Sequence, residues 1–416
     1  MLSVAEALRA VLDHAQSLPP RRVPLADALG AVLAESVTAD RDLPPFDKAL
    51  LDGFAVRSAD LQGEGPFDLD VIEEITAGRV PTKPIGPGQC SAIMTGAPLP
   101  DGADAVVMVE DSARTGDRVT LSPRKPVSPD AGRLTKGREM RQGETLLGPG
   151  DRLDPVRLGL LASVGWASPQ VVPRPVVSIV STGDEIVPPD QTPGPGQIRN
   201  SNATMLDALV RASNTESAVA PIAPDEPVRL REILAEGLTR DVMLITGGVS
   251  AGKLDLVPGT LEGLGMRAVF HKIRLKPGKP LLFGIGPDRP GGLPGTLVFG
   301  LPGNPVSGVV GFLLFVAPAL RVLRGLQGAP AATITARLAK PFAHRGDRPT
   351  FFPARLGEGS IIEPLNWAGS ADLRTVAMAD GFAAFEAGDR AYDAGASVPF
   401  LPLPRIDPDG PRVGGS

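Results

Sequence analysis

A single cysteine, Cys90, stands among 416 residues, so the chain has neither an intramolecular disulfide nor a cysteine-based metal site. Three histidines, His14, His271 and His344, are too widely spaced to suggest a histidine-based zinc centre. Excess positive charge is also lacking. The formal net charge of −5 argues against a general nucleic-acid binder and leaves room only for a local basic pocket. The first residues, Met1-Leu-Ser-Val-Ala-Glu-Ala-Leu-Arg9, are amphipathic and lack the apolar core of a secretory signal. The most apolar stretch, 306–320, is shorter than the roughly 18 to 20 residues that span a bilayer. Pro318 is expected to interrupt it, which predicts a buried core or interface helix in a cytoplasmic protein without membrane contact. Three further signatures are missing: the P-loop, Gly-x-Gly-x-x-Gly after a strand, and the Gly-x-Ser-x-Gly nucleophile elbow. P-loop phosphate binding, a dinucleotide fold of that type and serine-hydrolase chemistry are therefore unsupported.

Hydrophobic residues make up 42% of the chain, enough for real cores, and its length suggests roughly two to four domains. Proline (45) and glycine (49) are plentiful but scattered, which reads as many turns and short strands rather than low complexity. Residues 3–17 place Val4, Leu8, Val11 and Leu12 on one helical face, with Ser3 and Glu6 spaced for a capping box. A second helix is expected over 25–33. From 41 to 170 turn signals separate short strands, 105–110 and 119–122 among them, and predict a β-rich region. From about 171 the pattern alternates strand and helix, with helices over 202–212 and 228–238, as in a doubly wound α/β domain. Beyond 327 short alternating segments (332–338, 382–385) predict a small C-terminal β-domain.

Three apolar runs each end in a glycine-marked loop: Val176-Val-Ser-Ile-Val-Ser-Thr-Gly-Asp-Glu185, Val242-Met-Leu-Ile-Thr-Gly-Gly-Val-Ser-Ala-Gly-Lys-Leu-Asp255 and Thr296-Leu-Val-Phe-Gly-Leu-Pro-Gly-Asn-Pro305. Such runs read as buried parallel strands of one sheet, whose carboxyl-end loops line a common crevice. Glycine lets backbone approach a ligand, and N–H groups at a helix start attract anions, so an anionic small molecule is the expected occupant. Asp52, Asp184, Glu185 and Asp255 sit at loop positions. Carboxylates of this kind suit Mg²⁺ with phosphate oxygens, although caps or solvated charges are the plainer reading of any single one. In Arg274-Leu-Lys-Pro-Gly-Lys-Pro280, a Pro-Gly turn can project Lys276 and Lys279 to one side, where two ammonium groups can hold an oxyanion. Ordinary surface lysines on an exposed turn are the alternative. Asn304 or Ser307 can cap the apolar helix that follows Gly300-Leu-Pro-Gly-Asn-Pro-Val-Ser307.

Taken in order, six segments are similar to the molybdopterin molybdenumtransferase family, which includes MoeA and the E domain of gephyrin. They are Pro44-Pro-Phe-Asp with Leu51-Asp-Gly-Phe-Ala-Val56, the run Met94-Thr-Gly-Ala-Pro-Leu-Pro-Asp-Gly-Ala-Asp-Ala-Val-Val107, Ser181-Thr-Gly-Asp-Glu185, Thr246-Gly-Gly-Val-Ser250, Lys276-Pro-Gly-Lys-Pro280 and Gly300-Leu-Pro-Gly-Asn-Pro-Val-Ser307. The resemblance implies an elongated homodimer. Each subunit would have a split first domain (1–40 and 136–170), an inserted β-rich domain (41–135), a molybdopterin-binding α/β domain (171–327) and a C-terminal β-domain (328–416). It implies Mg²⁺-dependent insertion of molybdate into adenylylated molybdopterin with release of AMP, and contact with molybdopterin adenylyltransferase and molybdenum enzymes. It further implies that Asp52, Glu185 and Asp255 serve the metal and the reaction, and that Lys276 and Lys279 bind anion. Thr95, Thr182, Gly183, Asp184, Gly247, Gly248, Ser250, Pro302, Asn304 and Ser370 are the residues it assigns to the pterin nucleotide. The chain departs from the family pattern at Lys48 and Ala49 (usually Asn and Ser), Phe54 (Tyr), Glu139 (Asp) and Lys253 (acidic). A non-catalytic molybdopterin-binding or carrier protein on the same scaffold is the alternative, and a generic nucleotide-binding α/β protein explains only the central loops.

Overall fold

The computed structural model describes residues 1–248 and 256–404. Two compact units result. One holds Met1–Arg22, Gly30–Ala34 and the chain from Gln170 onward; the other holds Val23–Leu29 and Glu35–Pro169.

In the second unit a six-stranded sheet runs in the spatial order Ala105–Met108, Gly53–Val56, Gln89–Ile93, Phe67–Ile75, Arg118–Leu121, Ser112–Thr115. Side chains alternate between two apolar clusters, as the period of a strand requires. Phe54, Val56, Cys90 and Val107 fill one face, and Ala55, Ile93 and Val106 the other. Burial pushes the Cys90 thiol up to about 12, which makes it an inert core residue. The strand expected over 105–110 ends at Met108, and a single 3₁₀ turn, Val109–Asp111, follows.

The first unit opens with α1 (Val4–His14). Ser3 Oγ accepts from Glu6 N (3.2 Å) and Glu6 Oε2 accepts from Ser3 N (2.7 Å), forming the expected capping box. Residues 25–33 do not form the expected helix. A 3₁₀ turn, Leu25–Asp27, is followed by strand Val32–Leu33, which pairs with Val171 and Val172. Gly30 between them holds φ +73, outside helical space, and Asn214 Nδ2 bonds its carbonyl at 2.9 Å.

The α/β sheet contains β1 (Val176–Ser181), β2 (Glu216–Val219), β3 (Val242–Thr246), β4 (Arg267–His271), β5 (Leu282–Ile285) and β6 (Leu297–Leu301), in the order β2-β1-β3-β6-β5-β4. The three strands that end in glycine loops are adjacent and parallel, and β5 and β4 close one edge antiparallel. Helices α2 (Ser201–Ala212), α3 (Pro227–Gly237), α4 (Leu256–Gly263) and α5 (Pro305–Leu323) cover both faces. Val177, Ile179, Leu244 and Phe299 pack with α2 and α5; Val180, Met243, Ile245 and Val298 pack with α3 and α4. Register Ser181↔Thr246 and Thr246↔Leu301 sets the three loop starts side by side at one end of the sheet.

Helix α5 is apolar and long enough to cross a membrane, yet 83% of its most apolar window is buried in the protein. Phe312 and Phe315 are among the largest buried side chains. Each contributes about 1.5–3 kcal/mol by leaving water, so this is a core helix. Pro318 does not interrupt it. The proline has no N–H and its ring presses on the preceding turn, but a π turn over Phe312–Val316 widens the helix just before it and lets the helix continue. Beyond α5, strands β7 (Ile334–Leu338), β8 (Thr350–Leu356), β9 (Ile361–Pro364), β10 (Gly381–Phe385) and β11 (Ser397–Pro402) close a small barrel in the order β7-β9-β8-β10-β11.

Candidate functional site

A cleft of about 440 Å³ opens at the carboxyl ends of β1, β3 and β6. Ser181, Thr182 and Glu185 reach it from the first loop, Thr246, Gly247 and Gly248 from the second, and Pro302, Gly303, Asn304 and Pro305 from the third. Ile186, Pro280 and residues 198–202, which lead into α2, complete the wall. A chain of hydroxyls fixes the floor. Thr246 Oγ1 donates to Ser181 Oγ (3.2 Å), and Ser181 Oγ donates to Asn200 Oδ1 (3.2 Å), which also accepts from Ala203 N (3.1 Å) and so caps α2.

Two polar atoms in this wall are buried without a partner among the described residues: Thr182 Oγ1 and Asn202 Oδ1. Asn202 Nδ2 donates to Gly303 O at 2.7 Å, which fixes the amide and leaves Oδ1 as the acceptor on offer. A buried polar atom left unpaired costs about 1–3 kcal/mol, and a ligand that bonds to it recovers that cost. Arg199 adds a cation, its Nε held by Gln191 O at 3.1 Å. Hydroxyls, amides, one guanidinium and a helix N-terminus suit a polar, anionic ligand.

Beside Pro280, the Lys276–Lys279 turn is closed by Ile273 N donating to Lys279 O (3.0 Å). Both lysines are exposed, and among the described residues neither ammonium has an ion-pair partner. Asn304 occupies the N-cap position of α5 but makes no side-chain cap, and neither does Ser307, which is buried. Asn304 Nδ2 instead donates to Ser370 Oγ (2.9 Å), while Val306 N donates to Ser370 O (3.1 Å). Two residues expected at the ligand thus hold each other at the start of α5.

Other expected site residues fall elsewhere. Asp184 does not line the cleft; its Oδ1 accepts from Asp225 N at 3.0 Å and ties down the neighbouring loop. Gly183 lies beneath the Glu185 side chain, where an added Cβ would meet Glu185 Cδ at 2.7 Å. Ser250 and Asp255, with Lys253, lie outside the described residues. Arg199, Asn200 and Asn202 line the cleft without belonging to any of the glycine-marked loops or family-like segments singled out above. The signal for Asn200 was there, since an Asn three residues ahead of a helical amide is a capping pattern.

No three His, Cys, Asp or Glu side chains converge on a common point among the described residues. Glu185 brings one carboxylate to the cleft, beside the unpaired oxygens of Thr182 and Asn202. That all-oxygen donor set fits Mg²⁺, which commonly takes one or two carboxylates together with water and substrate phosphates.

In the second unit the structure brings Asp52 and Thr95 together. Asp52 Oδ1 accepts from Thr95 N (2.6 Å) and Thr95 Oγ1 (2.7 Å). These bonds, the backbone one foremost, hold the carboxyl below its usual range. The stabilisation they bring is present above the ordinary carboxylate range and is lost as pH falls through the lowered value. Thr95→Val removes the hydroxyl and keeps the amide, so the Asp52 titration is expected to move part of the way back up; carboxyl-carbon NMR measures it. Two departures from the family pattern answer each other: Lys48 Nζ lies 3.2 Å from Glu139 Oε1, so the extra cation is neutralised by the longer acid. Phe54 is buried in the sheet core, 4% exposed, where a tyrosine hydroxyl would need its own partner.

Parallel strands that end in register around a cleft of oxygens, with lysines beside it that have no ion-pair partner among the described residues, form a doubly wound α/β domain whose cleft suits a polar, anionic small molecule. Comparison with known proteins narrows the class. Residues 2–165 match the MoeA N-terminal region (domain I and II), 178–322 a probable molybdopterin binding domain, and 335–403 the MoeA C-terminal region (domain IV). A Bacillus subtilis (strain 168) protein named molybdopterin molybdenumtransferase is 34% identical over 410 residues, 96% of this chain and 94% of the relative. One of the same name from Synechococcus elongatus is 35% identical over 415 residues, 96% and 98% of the two chains. The crystal structure of a molybdopterin biosynthesis MoeA protein from Pyrococcus horikoshii superposes with a TM-score of 0.81 at 32% identity, covering 97% of this chain and 99% of that one. The chain belongs to the MoeA family.

Proposed function

We propose that this protein is a molybdopterin molybdenumtransferase that inserts molybdate into adenylylated molybdopterin and releases AMP. The observation that carries the reading is the cleft itself: among the described residues Thr182 Oγ1 and Asn202 Oδ1 lie buried and unpaired in the wall that Glu185 shares, and the two lysines of the turn next to it have no ion-pair partner. Thr182, Asn202 and the Gly247–Gly248 backbone bind and orient the pterin nucleotide. Lys276 and Lys279 hold molybdate as point charges. The two dithiol sulfurs together replace one oxo ligand of molybdate, which leaves as water with their two protons, and a second water cleaves the phosphoanhydride to free AMP. Glu185 and Asp255 are the pair proposed to hold Mg²⁺, which when bound would offset the charge of the phosphoanhydride. Family membership supports two copies of the chain working as a homodimer in the cytoplasm, with a split first domain of 1–40 and 136–170 around an inserted 41–135. It also supports hand-over of substrate and product to molybdopterin adenylyltransferase and molybdenum enzymes.

The test is AMP release from adenylylated molybdopterin, with Mg²⁺ present, with and without molybdate. Molybdate-dependent release is the expected result. Tight retention of the pterin nucleotide with no AMP formed in the well-folded protein sinks the transferase reading and defines a carrier.

A further inference from the structure

We infer that His344 and Thr350 form a buried latch that positions Lys276 for its anion; the inference rests on the anion-binding role proposed above. Segment 347–351 is stitched to 274–276 by four bonds. Lys276 N donates to Pro349 O (2.9 Å), Phe351 N donates to Lys276 O (2.8 Å), Arg348 Nη1 donates to Leu275 O (3.2 Å) and Arg274 Nη2 donates to Asp347 O (3.1 Å). The first two bracket Thr350, so the Lys276 backbone sits wherever Thr350 sits.

Thr350 is 2% exposed and is fixed through its side chain, which lies 2.8 Å from His344 Nε2 and 3.2 Å from Arg348 O. His344, 4% exposed, is fixed in turn. Its Nδ1 is 3.0 Å from Gly388 O, and its ring stacks on Phe385 at 5.9 Å and 13°. A carbonyl only accepts, so Nδ1 carries a proton toward Gly388; with the proton there, the single Thr350 hydroxyl proton serves Nε2 at 2.8 Å, and the 3.2 Å approach to Arg348 O is the weaker, secondary contact. The pair touches no part of the cleft and is not explained by filling space, since a valine has the shape of threonine. Its hydroxyl carries the information, relayed from the Gly388 turn to the one lysine backbone it brackets.

Calorimetric titration of the full chain with inorganic molybdate tests the latch. Thr350→Val is expected to weaken molybdate about tenfold and Thr350→Ser to stay within about twofold of the parent, because only the valine orphans Nε2. In turnover, Thr350→Val raises the KM for molybdate while kcat and affinity for the pterin nucleotide hold. His344→Phe, which keeps the ring stack, carries the same test should Thr350→Val not fold. Parent affinity in Thr350→Val alongside lost binding in Lys276→Ala overturns the latch and leaves the anion site standing. Parent affinity in Lys276→Ala overturns the anion reading, and the latch with it.

Discussion

Gly247→Ala is expected to destabilise the protein by about 2–4 kcal/mol and to slow AMP release at least about 100-fold. Gly247 holds φ +85, where an L side chain is strained, and an added Cβ would lie 2.5 Å from Thr182 O and 3.1 Å from Thr182 Oγ1. Neither contact can relax cheaply. Thr182 N donates to Thr246 O at 2.9 Å, and the strand behind it is in register through Ser181↔Thr246, so retreat of one loop breaks its bond to the other. The clash also falls on the hydroxyl that the cleft leaves unpaired for its ligand. Gly259→Ala is the control: it sits in α4 with nothing among the described residues within 4 Å of an added Cβ. That change is expected to be neutral or to stabilise by about 0.4–1 kcal/mol, with turnover unaltered. Urea unfolding and AMP release on the two variants separate loop strain from a general intolerance of substitution.

The parts that were legible in sequence are those fixed by local pattern. The three glycine-ended runs became neighbouring parallel strands because Val, Ile and Leu on both faces demand burial on both sides. Ser3 and Glu6 capped α1 because the capping box needs only residues three apart. What local pattern missed depends on distance or on backbone detail. Lys48 and Glu139 are 91 residues apart, and read singly each was only a departure from a motif. The helix expected over 25–33 failed at one residue, Gly30, whose left-handed backbone a propensity reading does not register. Pro318 reads as a breaker in sequence because the π turn that accommodates it leaves no trace in the hydrophobic pattern. Asn202 carries no sequence signal, because the missing partner of its Oδ1 among the described residues is visible only once the rest of the wall is assembled.

Glu185→Gln is expected to lower the rate of AMP release by about 100- to 1000-fold while changing stability by no more than about 0.5 kcal/mol. Among the described residues the Glu185 carboxylate makes no hydrogen bond or ion pair; only its backbone is engaged, accepting from Ile198 N at 2.8 Å. Its charge therefore contributes little to folding, and the amide keeps its shape, so a fall in rate reports on the charge alone. If that charge serves Mg²⁺, the Mg²⁺ concentration for half-maximal rate rises in Glu185→Gln and is partly restored in Glu185→Asp, which keeps a hard anionic ligand on a shorter arm. If it serves proton transfer instead, the Mg²⁺ dependence stays that of the parent and the pH profile changes. Parent rates in Glu185→Gln, at parent Mg²⁺, remove Glu185 from the reaction and leave the cleft as a binding site only.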